Sequence, residues 1–393
     1  DYQARFHVGD LIHGAIGLEG WLDHPTRLLM HSHSGSADFL LAAPMRSDGN
    51  PVFYPPERVT FGTGAETQAS VASSGRIAIG SLAYEAHIWG IPLDDSGRVT
   101  GPARQLTAEF PGEISPVLSA DGTHLLFISS KSNPAQLYGK DLVTGRERRL
   151  SQNGTEPKVS AAFDPSGSRA LYLDMSEGKG FLYSVPFSGG VPQRIAPYNE
   201  RATPLDWASN GHSLLLLRVP LSAPAHFSVA VTGPGVKQVR TLVSDSSRDI
   251  FQAHFSPNAR WITFTAMGNA SSQVFIAPFH DGAIPASEWR PIAAGTAWDD
   301  KPRFSRDGLT VLFTSDRDGF RCIWGQRLTP DMQPVGGPFA VFHSHGPGMS
   351  IRNSPVSDQE ISVGKGLLAF DQTEFKGNLW VLDPPPAQSS AHQ

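Results

Sequence analysis

Apolar residues along this chain come in short runs, each entered through a turn of Ser, Asp, Asn and Gly and left through a polar hairpin. No stretch sustains the spacing of an amphipathic helix, so the pattern predicts strands throughout. The clearest copies are Ser119-Ala120-Asp121-Gly122 before Leu125-Leu126-Phe127, Asp164-Pro165-Ser166-Gly167 before Ala170-Leu171-Tyr172, and Ser305-Arg306-Asp307-Gly308 before Val311-Leu312-Phe313. Looser copies stand at Ser73-Ser74-Gly75, Ser209-Asn210-Gly211 and Ser256-Pro257-Asn258-Ala259. The turns recur roughly every 47 residues, the length of one four-stranded propeller blade with its connections.

Each repeat has one internal order. The strand after the turn is followed by a polar hairpin such as Ser129-Ser130-Lys131-Ser132-Asn133 or Ser315-Asp316-Arg317-Asp318-Gly319. A third strand then carries an aromatic: His87-Ile88-Trp89, Gln136-Leu137-Tyr138, Phe181-Leu182-Tyr183, Val274-Phe275-Ile276, Cys322-Ile323-Trp324 and Asn378-Leu379-Trp380. These rings are expected in the core between neighbouring blades, where burying one is worth roughly 2 to 3 kcal/mol. A polar fourth strand, as at Glu147-Arg148-Arg149-Leu150, suits an outer edge that must resist pairing with another chain.

Counting repeats gives eight, and the expected fold is an all-β propeller of four-stranded blades. The last repeat lacks a fourth strand before Pro384-Pro385-Pro386, and the N-terminal segment Ala4-Arg5-Phe6-His7-Val8 is expected to supply it and seal the ring. Seven blades, with the weak first repeat as an irregular extension, is the alternative. Residues 1–383 read as a single propeller domain and 384–393 as a Pro-rich polar tail.

Composition narrows the chemistry. Only 18 % of residues are charged and the net charge is -5, which gives neither nucleic acid nor an anionic membrane a basic face. No apolar stretch is long enough for a membrane span. The single cysteine, Cys322, has no partner for an internal disulfide and reads as a small buried hydrophobe. The chain opens at Asp1 rather than Met, which points to a processed protein or an excised domain with any signal or anchor upstream.

The repeat resembles the bacterial TolB-type propeller repeat, a Pro, an aromatic, then Ser-x-Asp-Gly and an apolar strand, seen here from Lys301-Pro302-Arg303-Phe304-Ser305 to Val311-Leu312-Phe313 and from Ser115-Pro116 to Gly122. A narrower resemblance joins Asp299 to Ser305, Ser315 to Leu328, Pro338 to His343 and Gly377 to Trp380 with the C-terminal propellers of acidobacterial multidomain sensors. In that group the propeller follows a kinase or winged-helix domain beyond a membrane span. The resemblance therefore implies an extracytoplasmic, periplasmic module for sensing or protein binding.

Catalytic motifs are sparse. No G-x-S-x-G elbow occurs, the nearest run being Gly348-Met349-Ser350-Ile351-Arg352, and neither a phosphate loop nor a dinucleotide fingerprint is present. His31-Ser32-His33 and His343-Ser344-His345 are two H-x-H pairs, and residues i and i+2 of a strand share a face, so each pair could reach one divalent cation. A structural or surface role is the other reading. In a propeller the first residues of the inner strands ring the channel mouth, which here would gather Glu66, Glu113, Glu156, Arg201, Asp249, Asp299, Asp300 and Arg352. Such a ring would favour a cation, an amine or a basic peptide, or would simply be solvated. His254 and Trp207 on inner strands are expected in the core.

Two functions follow. The first is a noncatalytic module with no cofactor that binds a peptide, protein or small ligand at the channel mouth. The second is a metal-dependent, carbohydrate-active propeller that uses His31, His33, His343 or His345 with a divalent cation in the channel.

Overall fold

The computed structural model describes residues 16–383 except 24–25, 35–36, 49–51, 53–55, 62–64, 111, 152–159, 177–178, 199–200, 220–225, 234–237, 270, 294, 347–348 and 352–360. Among the described residues only Ala286–Glu288, a single 3-10 turn, is helical. The chain divides into two compact units, residues 85–374, and residues 1–84 together with 375–393.

The unit 85–374 is an all-β propeller of four-stranded antiparallel blades. Blade 1 runs outward through Glu113–Leu118, His124–Ser129, Gln136–Asp141 and Glu147–Arg149. Blades 2, 3, 4 and 5 repeat this order from inner strands Ala161–Phe163, Arg201–Trp207, Asp249–Phe255 and Asp299–Phe304. Blade 6 is composite: Ile361–Gly364 lies innermost, followed by the first part of Leu367–Leu382, the last part of Ile77–Pro92, and Arg104–Gln105. The six inner strands touch in cyclic order, and Ile361–Gly364 returns to Glu113–Leu118. The segment Ala4–Val8, expected to seal the ring, lies outside the described residues, as does 384–393.

The second unit is a meander of Ile16–Asp23, Arg27–Ser34, Ala37–Pro44 and Glu57–Arg58, with Ala65–Val71 beside Ala37–Pro44 and paired to the first part of Ile77–Pro92. Here the second and eighth repeats depart from expectation. Each was expected to fold back in a hairpin before its aromatic third strand, but Ile77–Pro92 and Leu367–Leu382 each run straight through as 16 residues. Neither has a residue in the left-handed backbone that two-residue hairpin turns require. The two ends of Ile77–Pro92 therefore pair with different strands, Ala65–Val71 near its start and Arg104–Gln105 near its end. Trp380 is a correction of the same origin: expected in the core, it is 56 % exposed, because its strand never returns as the third member of a blade.

Elsewhere the turns do what their sequence demands. Gly122 and Gly308 have φ of +74° and +73°, and their N–H groups donate to Ser119 and Ser305 carbonyls, while Asp121 and Asp307 accept the serine hydroxyls and the next N–H. A Cβ at position 122 would meet the Lys365 carbonyl oxygen at 2.3 Å, so only Gly fits. Apolar side chains fill every seam between consecutive blades of the unit 85–374. The expected aromatics Trp89, Tyr138, Tyr183 and Trp324 pack against these clusters, and Phe275 lies within one.

The inner strands share an irregularity. Ser115, Gln252 and Lys301 each take φ between 55° and 58°, and the pairing register shifts at each of them. These bulges cost on the order of 1 kcal/mol each, and they re-aim the residues that follow.

Candidate functional site

Four of the strand starts proposed as a charged mouth, Glu113, Asp249, Asp299 and Asp300, are internally compensated. Glu113, fully buried, lies 3.2 Å from His87 Nδ1 and 3.6 Å from Lys131 Nζ. Asp249 accepts the Phe227 N–H at 2.8 Å and sits 3.0 Å from His226 Nδ1. Asp299 takes two contacts from Arg317, at 2.8 and 3.0 Å, and Asp300 takes one from Arg321 at 2.6 Å. Burial raises the Asp299 carboxyl above its ordinary range, against the pull of Ser315 and Arg317. Arg201 begins the inner strand of blade 3, and Glu66 is buried on Ala65–Val71 in the other unit. The Arg201 side chain, Glu156 and Arg352 lie outside the described residues.

The cavity opens at the opposite ends of these strands. It measures about 190 Å³ and is walled by Leu118, Phe163, Leu205, Phe255 and Phe304. Three titratable groups from neighbouring blades meet there: Asp206 of blade 3, His254 of blade 4 and Arg303 of blade 5. Arg303 is 5 % exposed, and its Nη1 donates to the Pro302 carbonyl at 2.7 Å. Burial lowers its guanidinium to about 9, with the Asp206 carboxylate opposing the shift. Burial and the Arg303 charge hold His254 down at about 4, again against Asp206, whose Oδ2 lies 3.6 Å from Nδ1. That separation is electrostatic contact rather than a hydrogen bond.

His254 is therefore a neutral imidazole at pH 7. Its Nε2 and the indole Nε1 of Trp207 are both buried without a hydrogen-bond partner, and both residues line the cavity. As expected His254 is buried, at 7 % exposure, but Trp207 is only half-buried. Arg303 carries no sequence signal that would single it out. The bulges at Gln252 and Lys301 each fall two residues before His254 and Arg303, and no local motif announces them.

The two H-x-H pairs fare differently. His31, on Arg27–Ser34, is held by Glu19, whose Oε1 lies 2.6 Å from Nδ1 and whose Oε2 accepts the Ala69 N–H. The side chain of His33 lies outside the described residues. His343 and His345 follow the outer strand Pro334–Phe342 of blade 5, and the Asp318 Oδ2 lies 3.0 Å from His343 Nδ1 and 3.0 Å from His345 Nε2. Cys322 completes a group whose ligand atoms all lie within 4.8 Å of one another. Asp318 and Cys322 were not read as ligands from sequence, although the pairing of Ile323 with Phe342 sets Cys322 beside His343.

No family model matches the chain. Among solved structures, a TolB-type protein from Agrobacterium tumefaciens aligns with a TM-score of 0.52 at 18 % identity, over 75 % of this chain and 99 % of its own. The fold is that of a TolB-like propeller. TolB from Acinetobacter baumannii aligns at 0.49 and 10 % identity over 78 % of this chain and 79 % of its own. An oligogalacturonate lyase in complex with manganese aligns at 0.46 and 12 % identity, over 80 % of this chain and 98 % of its own. Among the described residues no helix is long and apolar enough to cross a membrane.

Proposed function

We propose that the propeller 85–374 is a noncatalytic binding module whose channel cavity receives an acidic group of a peptide, protein or small ligand. One observation carries this reading: the guanidinium of Arg303 is buried against the cavity together with the unpartnered His254 Nε2. A buried cation flanked by a spare imidazole nitrogen suits a carboxylate, since a charge-assisted hydrogen bond strengthens where water is excluded. The acids at the other ends of the inner strands are already paired, so they offer a cation or basic peptide less than their number suggests. The resemblance to acidobacterial sensors extends the proposal to an extracytoplasmic sensing role within a larger signalling protein.

The test is calorimetric titration of the chain at pH 7 with short peptides bearing a free C-terminal carboxylate and with their amidated twins. Carboxylates should bind and amides should bind at least about tenfold more weakly, and Arg303→Gln should erase the difference. Equal binding of both forms, or no effect of the substitution, would refute the cavity as the site. The carbohydrate-active reading is not favoured by the cavity, because neither His31 nor the His343/His345 pair lines it among the described residues.

A further inference from the structure

We propose that blade 5 carries a zinc site built from Asp318, Cys322, His343 and His345, distinct from the channel cavity. The donors come from three segments: Asp318 from the hairpin after Thr310–Ser315, Cys322 from the first position of Cys322–Leu328, and the two histidines from just beyond Pro334–Phe342. Their ligand atoms converge within 4.8 Å, with 3.3 Å between His343 Nδ1 and His345 Nε2 and 3.0 Å from each imidazole to Asp318 Oδ2. A tetrahedral zinc ion with two nitrogens and one sulfur has donor edges of about 3.3 to 3.6 Å, so the 3.0 Å pairs need to open slightly and the wider ones to close.

The donor chemistry selects the ion. One thiolate, two imidazoles and one carboxylate suit zinc and not magnesium or calcium, which prefer oxygen alone. The surroundings are those of a held ligand set. Cys322 Sγ is buried and accepts the Ser344 N–H at 3.4 Å, the His343 ring stands edge-on to Trp324, and the His345 ring lies 4.4 Å from that of Phe320. The nearby guanidinium of Arg317 is committed to Asp299, so it does not repel the ion outright. Zinc binding displaces the thiol proton of Cys322. Four protein donors fill a tetrahedral shell, which assigns the ion a structural part: it pins the outer strand and the hairpin of blade 5 together.

Titration of the untagged chain with cobalt(II) as a spectroscopic stand-in tests this. One equivalent should bind with the strong visible bands of a tetrahedral ion and a thiolate-to-cobalt band in the near ultraviolet, and zinc should displace it. Cys322→Ser should remove the near-ultraviolet band. Because Cys322 is buried, the paired change His343→Ala with His345→Ala, at half-exposed positions, is the second arm and should abolish stoichiometric binding while leaving the circular dichroism of the fold intact. His31→Ala should change nothing. Failure to bind one equivalent tighter than about 10 µM, or a spectrum indifferent to Cys322 and to the paired histidine change, would overturn the site.

Discussion

The side-chain oxygen of Gln252 in blade 4 accepts the backbone N–H of Lys301 in blade 5 at 2.9 Å and the Thr265 hydroxyl at 2.7 Å. Both Gln252 and Lys301 are the left-handed residues of their inner strands, so one bulge satisfies the N–H that the next bulge frees from its ladder. Acidic side chains of the preceding blade accept two further inner-strand N–H groups, Asp371 that of the left-handed Ser115 and Asp206 that of Phe255.

Replacing Gln252 with Ala should therefore leave a buried N–H and a buried hydroxyl without their acceptor, with a loss of about 2 kcal/mol. Gln252→Glu, which keeps the acceptor, should recover part of it. Urea unfolding monitored by tryptophan fluorescence gives both values, and equal stability of wild type and Gln252→Ala would show that the seam does not need this bond.

The pH response of His254 has a definite sign. Its folded value of about 4 lies below the ordinary 6.5, so the folded state prefers the neutral ring and the unfolded chain binds a proton more readily. Stability from this group is complete above pH ~6.5 and should fall as the pH drops toward ~4, by on the order of 3 kcal/mol in all. In His254→Gln that portion of the slope should vanish. Denaturant midpoints taken at half-unit intervals across the window measure it, and parallel profiles for the two proteins would contradict the assignment.

The residues explain why the blades were legible and the cavity was not. Ser-x-Asp-Gly states its own turn, because Asp accepts local N–H groups and Gly supplies the positive φ, so the turns at Ser119 and Ser305 could be read directly and the looser copies followed from their spacing. The straight strands Ile77–Pro92 and Leu367–Leu382 escaped because alternation looks alike in a hairpin and in one long strand, and Gly80 and Gly377-Asn378 offer turn residues that the backbone leaves extended. Arg303 escaped for another reason. A single Arg among the other charged residues of Asp299–Phe304 has no local signature, and the company of His254 and Asp206 is created by the ring, which joins positions about one repeat apart. The H-x-H pair at His343 was visible, while Asp318 and Cys322 joined it only through strand pairing.

Lys131 is the counter-charge for several acids at once. It contacts Glu109 at 3.0 Å and Glu113 at 3.6 Å and is hydrogen-bonded to Glu147, with the Glu113 and Glu147 side chains almost wholly buried. Burial opposes its charge, but the bonds from Glu147 and Glu109 outweigh that and hold its pKa well above the usual lysine value. Lys131→Met should destabilise by about 3 kcal/mol, since it strands buried carboxylates. Adding Glu113→Gln should restore part of the loss, and the double-mutant cycle measures the coupling. Additive effects of the two changes would show that Lys131 acts through its other partners.

Three of the aromatic third strands place Gly directly after the ring: Trp89-Gly90, Tyr138-Gly139 and Trp324-Gly325. A Cβ at Gly325 would lie 2.6 Å from Phe339 Cζ, and one at Gly139 would lie 2.7 Å from Phe187 Cε2. At Gly325 and Gly139 the glycine is required by space, because a ring covers its backbone, Phe339 from the outer strand of the same blade and Phe187 from just after the third strand of blade 2. Gly325→Ala should force the Phe339 ring aside and destabilise by about 1 to 3 kcal/mol. Phe339→Leu, which removes the reach of the ring, should relieve most of that loss in the double variant. Gly268→Ala is the control, since the nearest atom to its Cβ would be the Ser271 hydroxyl at 3.5 Å and its backbone is not left-handed. Equal melting shifts for Gly325→Ala and Gly268→Ala would show that the ring is not packed against the strand.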